Sequence, residues 1–383
     1  MADKSSIEWT DATWNPITGC SVVSPGCTNC YAMKLAGTRL KHHPSRIGLT
    51  TMSKAGPVWN GKVRFNNRWL DQPLRWKKPR MIFVCAHGDL FHEDVPDAWI
   101  DKVFAVMALC TRHTFQVLTK RADRMREYCD GYGAWVRVEQ LIHEIKPSSL
   151  WNGNVYTAKN ILDSARPLPN VWLGVSVEDQ KRADERIPDL LSTPAAKRFV
   201  SYEPALGPVD FSPWLSDDDG CEQCDTDCCP DCPTSKAVFI DGKYDESRPE
   251  TCWTKRVVLD QIIAGGESGP GARPMHPDWA RSARDQCEAA GVPFLFKQWG
   301  AWMPLGKVHD DAAQDEFLSY THDNQFRPIQ GKGKILDVDG CDWFDEQAQP
   351  PSNCELMVKV GKKAAGRLLD GIEHNGFPDR EDV

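Results

Sequence analysis

No stretch of this chain is apolar for long enough to span a bilayer, so a helical membrane anchor is not expected. The opening residues, MADKSSIEWT, have neither an apolar core nor a cleavage pattern, so no secretory signal is expected either. An excess of positive charge is also missing. The formal net charge is −8, and any attraction for a polyanion would have to come from a local basic cleft. Heptads and internal repeats are absent, which sets aside coiled coils and solenoids. Cysteine is plentiful at 15, but an odd count in an expected reducing cytoplasm argues against a disulfide framework. Thiols in that setting serve as metal ligands or as small buried apolar groups.

What is present is an ordinary globular composition, 41% hydrophobic and 26% charged, in a chain of 383 residues. That length can bury one large α/β domain or two smaller ones. The 15 tryptophans point to a well-packed body. Short apolar runs ending in polar, Gly-containing turns recur at 80–91, 114–121, 170–179, 197–208, 259–270 and 292–300, several followed by stretches of helical period. A further short strand fits ATWNP ahead of the first cysteines. Strands apolar throughout and followed by helices predict a parallel sheet buried on both faces, here a partial or full (β/α) barrel. Residues 1–300 are expected to form it, interrupted over 216–254 by a Cys-rich metal-binding insertion. Residues 301–383 read as a loop-rich extension with a small hairpin and a terminal amphipathic helix at VGKKAAGRLLDG.

Chemistry in such a barrel sits at the carboxyl ends of the strands. Polar clusters fall there: His87-Gly88-Asp89, Thr119-Lys120-Arg121, Ser176 with Glu178, Tyr202-Glu203, Glu267-Ser268 and Lys297-Gln298-Trp299. Each residue taken singly reads equally well as a solvated loop start or a helix cap. Cys85 and Cys110 lie in apolar runs and are expected to be buried and inert.

Cys20, Cys27 and Cys30 sit on one loop, with six residues in the first gap and two in the second. Three thiolates on a four-iron cluster leave one iron open, as a catalytic zinc keeps a position for its substrate. The alternatives are unrelated loop cysteines, or a zinc knuckle completed by His42 or His43. A second group holds Cys-x-x-Cys pairs at Cys221/Cys224 and Cys229/Cys232, with Cys228 and Cys252 nearby. Zinc is the expected organiser there, ahead of a second iron–sulfur cluster or a metal-free loop. The aspartates around it count against direct phosphate contact.

The stretch TWNPITGCSVVSPGCTNCYA resembles the cluster loop of the spore photoproduct lyase branch of radical S-adenosylmethionine enzymes. Asn15, Pro16, Gly19, Cys20, Cys27, Cys30, Tyr31 and Ala32 match; Ile17 replaces an aromatic, and the first gap is three residues longer. Through GVSVED, SYEPALGP, GGESGPGARPMHPDW, PFLFKQWG and KKAAGRLLDG the chain resembles a phage and prophage family marked by the same three-cysteine motif. These resemblances imply a [4Fe-4S] cluster whose open iron binds S-adenosyl-L-methionine and yields a 5′-deoxyadenosyl radical. They imply the cytoplasm of a phage-infected host and an electron donor such as a flavodoxin or ferredoxin.

They also distribute roles. His87, Gly88 and Asp89 would meet the cofactor's amino group, Ser176, Glu178 and Glu203 its ribose, and Lys120 or Arg121 its carboxylate. Tyr31 would pack on it, and Gly265 and Gly266 would admit the adenine. Tyr202, Glu267, Lys297 and Gln298, with Trp299, would face the substrate. The implied reaction modifies or isomerises a 5-substituted pyrimidine in phage DNA, a step of thymidine hypermodification, with nucleic acid or a nucleotide as partner. Two other classes fit the residues: a non-catalytic, zinc-dependent protein that binds nucleic acid or recruits a partner, and a hydrolase using Glu203 and Glu267 as paired carboxylates.

Overall fold

The computed structural model describes residues 5–145, 167–216, 257–307, 318–320, 326–328, 333–342 and 353–378. Its centre is a seven-stranded sheet in strict chain order: β1 (Ala12–Trp14), β2 (Met81–Val84), β3 (Thr114–Thr119), β4 (Val171–Val177), β5 (Lys197–Tyr202), β6 (Gln261–Gly265) and β7 (Phe294–Gln298). Every neighbouring pair is parallel. The sheet curls into a half-barrel, so the partial form of the expected barrel is the one realised. Each expected strand is present, including the short one at ATWNP.

Helices return the chain between strands: α1 (Tyr31–Gly37) after β1, α2 (Asp97–Leu109) after β2, α3 (Ala122–Asp130) and α4 (Tyr132–Glu144) after β3. Next come α5 (Gln180–Leu191) after β4 and α6 (Pro277–Ala289) after β6. Local chemistry sets their starts. The Asp179 carboxylate accepts from the Arg182 N–H at 3.0 Å to cap α5, and Pro277 opens α6 where no donor is needed.

The strands are buried on both faces, as their unbroken apolar runs require. Ile82, Val117, Val175, Val200, Ile262 and Phe296 join the core on the helix side. Trp9, Met81, Phe83, Trp172, Phe199, Ile263 and Leu295 form a separate apolar plug. Gly174 belongs to that fit, since a Cβ there would strike the Phe199 ring. Each fully buried Ile, Leu or Phe contributes about 1.5–3 kcal/mol. The plug fills the amino-terminal part of the inner face and leaves the carboxyl ends of the strands to polar side chains.

The edge of β7 is covered by the chain's own carboxyl-terminal segment. The Phe296 N–H donates to the His374 carbonyl at 3.0 Å, the Gly376 N–H donates to the Phe294 carbonyl at 2.9 Å, and Phe377 packs on the plug. The extension is more regular than its weak periodicity suggests. Trp302–Lys307, Glu355–Lys359 and Gly333–Leu336 form a three-stranded antiparallel sheet with Glu355–Lys359 in the centre. The expected terminal helix shrinks to one turn, Lys362–Ala365, because Gly366 takes φ +71° and ends it. No helix among the described residues is long and apolar enough to cross a membrane.

Candidate functional site

The three-cysteine loop leaves β1 and is sewn to the end of β2. The Cys85 N–H donates to the Trp14 carbonyl at 2.7 Å, the His87 N–H to Asn15 Oδ1 at 2.9 Å, and the Gly19 N–H to the His87 carbonyl at 3.2 Å. Gly19 has φ +97°, and a Cβ there would run into the Lys62 carbonyl, so only glycine serves directly before Cys20. Gly88 is a packing residue. A Cβ on it would stand 3.0 Å from the Ile17 carbonyl oxygen, so its small size lets the loop approach β2.

The long first gap is anchored along its length. Ser21 donates to Glu93 Oε1 at 2.7 Å and accepts from Arg121 Nη2 at 2.6 Å. Ser24 donates to Glu178 Oε1 at 2.7 Å, and Gly26 lies so close to the Glu178 side chain that a Cβ would collide with it. The Pro25 carbonyl accepts from Arg273 Nη2 at 3.0 Å. Beyond Cys27, Asn29 Nδ2 donates to Glu267 Oε2 at 2.9 Å. The loop thus crosses the strand ends from β2 to β6, pinned to a side chain at each step.

The charged strand-end residues form ion pairs that hold this loop. Asp89 is buried and accepts from Thr119 Oγ1 at 2.7 Å, Arg121 Nη1 at 3.1 Å, and the N–H groups of Phe91 and Lys120 at 3.0 and 3.2 Å. Arg121 also donates from Nε to Glu93 Oε2 at 2.9 Å and from Nη1 to the Cys20 Sγ at 3.4 Å. Desolvation pushes the Glu93 carboxyl up, but its hydrogen bonds to Arg121 and Ser21 win and hold it at about 2. Glu178 is fully buried between Lys120 and Arg186, with Arg186 Nη1 at 3.2 Å. Burial opposes its ionisation, yet the two cations carry its pKa below the usual carboxylate range. Glu267 is gripped by Arg273 through Nε at 3.0 Å and Nη2 at 2.8 Å.

A metal or cluster must find thiolates here. Burial pushes the Cys20 thiol up to about 12, the Asp89 charge adds to this, and Arg121 opposes it. Burial raises Cys30 as well. Cys27 is close enough to both for its charge to count against theirs. Deprotonating these thiols therefore needs a strong positive charge at the site, which a bound metal ion would supply. Among the described residues no three His, Cys, Asp or Glu side chains stand close enough to share one metal ion. A single tetrahedral zinc, with Zn–S about 2.3 Å, wants its sulfurs about 3.8 Å apart. A cubane instead holds each ligand at a separate corner, so three thiolates on one loop need not converge on a single ion to bind it. The His43 ring is occupied elsewhere, with Nδ1 2.7 Å from Ser45 Oγ and its face on Trp69.

The remaining expected residues divide into two sets. Tyr31, His87, Glu203 and Lys297 meet at the mouth. Tyr31 is 48% exposed, donates to the Ala86 carbonyl at 2.5 Å and lies edge-on to the His87 ring at 5.8 Å. Burial lowers His87 to about 4, so its ring is neutral, and its Nδ1 has no partner. Lys297 Nζ pairs with Glu203 at 2.9 Å and 3.1 Å to the two oxygens, and Ser201 Oγ stands 3.3 Å from Glu203.

The second set points away or is already committed. Tyr202 is fully buried on the helix side, donating to the Gly207 carbonyl and packing on Phe211, because it alternates with the inward Ser201 and Glu203. It cannot stack on a substrate there. Trp299 is likewise core, its Nε1 donating to the Leu368 carbonyl at 2.8 Å. Gln298 is buried with its Oε1 unpartnered. Asp89, Lys120, Glu178 and Glu267 are spent on the ion pairs above, so their expected contacts with cofactor or substrate would require breaking those pairs. Ser176 is buried, and its carbonyl accepts from Arg186 at 2.7 Å. Gly265 and Gly266 are packed against Glu203 and the Trp299 carbonyl rather than left open. Cys85 and Cys110 are buried as expected, and burial pushes both thiols up to about 12. Cys221, Cys224, Cys229 and Cys232 lie outside the described residues.

Sequence reasoning passed over Asn29, Glu93, Arg186, Arg273 and Arg46. The first four carry no local signal, since each acts through a partner distant in sequence. Over residues 4–378 the sequence matches the family described as Protein of unknown function (DUF5131), and the chain belongs to that family. No curated protein and no solved structure matches it.

Proposed function

We propose that this member of the DUF5131 family is a radical S-adenosylmethionine enzyme. The observation that carries the reading is a loop of three cysteines, Cys27 buried and Cys20 and Cys30 half-buried, following the first strand of a parallel half-barrel, with the Arg121 guanidinium 3.4 Å from the Cys20 sulfur. Cys20, Cys27 and Cys30 would hold a [4Fe-4S] cluster. When bound and reduced, such a cluster with an open iron supplies the electron that splits S-adenosyl-L-methionine to a 5′-deoxyadenosyl radical. Everything else falls to side chains. Arg121 hydrogen-bonds the Cys20 sulfur and spreads the charge of its thiolate. The pinned loop holds that sulfur in place beside Arg121. Glu203 and Lys297, paired with each other at the mouth, would have to part for their opposite charges to meet the ammonium and carboxylate of an amino-acid moiety. Tyr31 offers an exposed ring against which a base can stack.

The substrate we propose is a 5-substituted pyrimidine in phage DNA, modified or isomerised during thymidine hypermodification, with a flavodoxin or ferredoxin as reductant. Protein purified without oxygen is expected to be brown, to contain about four irons per chain, and to release 5′-deoxyadenosine on reduction with S-adenosylmethionine. Cys20→Ala, Cys27→Ala and Cys30→Ala should each lose the iron and the cleavage together. A colourless wild-type protein that binds only zinc and leaves S-adenosylmethionine intact overturns the proposal.

A further inference from the structure

Between Asp11 and Asp71 the chain contains no aspartate or glutamate, while it carries eight lysines and arginines. In a protein of net charge −8 this is a strongly one-sided segment. Among the described residues none of the eight makes a salt bridge. Every ion pair found uses cations from Arg75 onward or histidines. Arg39, Lys41, Lys54, Lys62 and Arg68 are exposed. Five of the nine large apolar side chains exposed among the described residues also lie here: Val22, Val23, Tyr31, Ile47 and Met52, the last 73% exposed near the tip of the hairpin Thr50–Ser53/Gly56–Trp59. Cations alternate with rings, with Arg68 lying 4.6 Å above Trp69 and His43 stacked on the same ring.

Arg46 sets the lobe apart from a merely solvated basic face. It is 4% exposed, and among the described residues its hydrogen bonds go only to its neighbour Ser45, from Nη1 at 2.6 Å to Oγ and 3.3 Å to the carbonyl. Its Nε is buried without a partner. The groups that feel its charge include Tyr31 and His87 at the mouth, and the buried Cys85. A buried guanidinium with no carboxylate is costly unless an anion arrives to meet it.

Resting on the nucleobase reading above, we infer that residues 12–70 are the docking surface for a nucleic-acid strand, with Arg46 holding the phosphodiester beside the nucleotide presented at Tyr31 and His87. The chemistry favours a nucleic acid over an acidic protein. Protein interfaces set register with charges of both signs, whereas a phosphate chain wants uniform cations interleaved with rings.

The test is fluorescence anisotropy with the full-length protein and a labelled oligothymidylate of about 20 nucleotides, from about 50 to 200 mM salt, against a labelled polyglutamate peptide. Binding of the oligonucleotide should fall with salt at a log–log slope of about −0.7 per phosphate neutralised. Lys54→Glu/Lys62→Glu and Arg39→Glu/Lys41→Glu should each weaken it at least about tenfold and flatten the slope. Arg46→Gln should weaken it with a slope change of only about one phosphate, and Arg46→Lys should recover part of the loss. The surface-charge variants should still cleave S-adenosylmethionine without nucleic acid, so a failed docking surface and a failed radical chemistry give different results. Binding that ignores the charge reversals, equals that of polyglutamate, or shows no salt dependence overturns the inference.

Discussion

Around the ends of β3, β4 and β6 the charges that hold the cysteine loop are paired: Arg121 has Asp89 and Glu93, Lys120 and Arg186 share Glu178, and Arg273 has Glu267. Among the described residues, no cation of residues 12–70, the segment that carries the loop itself, has a carboxylate partner. The first arrangement is complete within the fold, and its carboxylates double as anchors for Ser21, Ser24 and Asn29. The second is complete only if something from outside supplies negative charge. Paired buried charges report on how the loop is built; unpaired ones report on what comes to it.

The largest effect expected from this contrast is at Glu178. Glu178→Leu leaves Lys120 and Arg186 facing each other in the interior and removes the acceptor of Ser24, so unfolding free energy should drop by about 3–5 kcal/mol. Urea denaturation of the metal-free protein measures it. The pH dependence has a definite sign. The Glu178 pKa is depressed in the folded state, so its contribution is present above the unfolded carboxyl pKa of about 4.3 and is lost as pH falls through the folded value. The variant should therefore lose part of the acid limb of the wild-type stability profile. A drop below about 1 kcal/mol would mean that the strand-end charges are ornamental and the contrast false.

Arg46→Met should move stability in the opposite direction. Desolvation lowers the Arg46 pKa to about 10, so holding the charge inside works against the fold at neutral pH. Replacing an uncompensated buried charge by an apolar side chain of similar length is expected to raise stability by about 1–2 kcal/mol, read as a higher urea midpoint. The same variant should bind oligonucleotide less well. A residue that weakens the fold and strengthens binding is what a docking surface requires; a loss of stability would instead make Arg46 part of the scaffold.

How much of this was legible in the chain differs by level. All seven strands were readable, because each is an apolar run ending in a polar turn, and period and burial agree there. Which face a strand-end residue takes was not. In KRFVSYEP the inward set is Phe199, Ser201 and Glu203, and Tyr202 falls outward by alternation alone. Arg121 and Lys120 look interchangeable in sequence, yet only Arg121 reaches Cys20, a contact across 101 residues. The acid-free stretch from Ala12 to Leu70 was in plain view, but a net charge summed over 383 residues hides it.

The smallest stability effect belongs to the exposed part of the lobe, and its smallness is the point. Lys54 and Lys62 are exposed and have no ionic partner among the described residues, so reversing them should remove no contact on which the fold depends. Lys54→Glu/Lys62→Glu should change unfolding free energy by no more than about 0.5 kcal/mol, in contrast to the several kcal/mol expected at Glu178. The new carboxylates would lie among cations, so any small change should be stabilising and should fade with salt. A destabilisation above about 1 kcal/mol would show that these lysines carry structure after all. A neutral result leaves binding as the one property that separates them from any other exposed lysine.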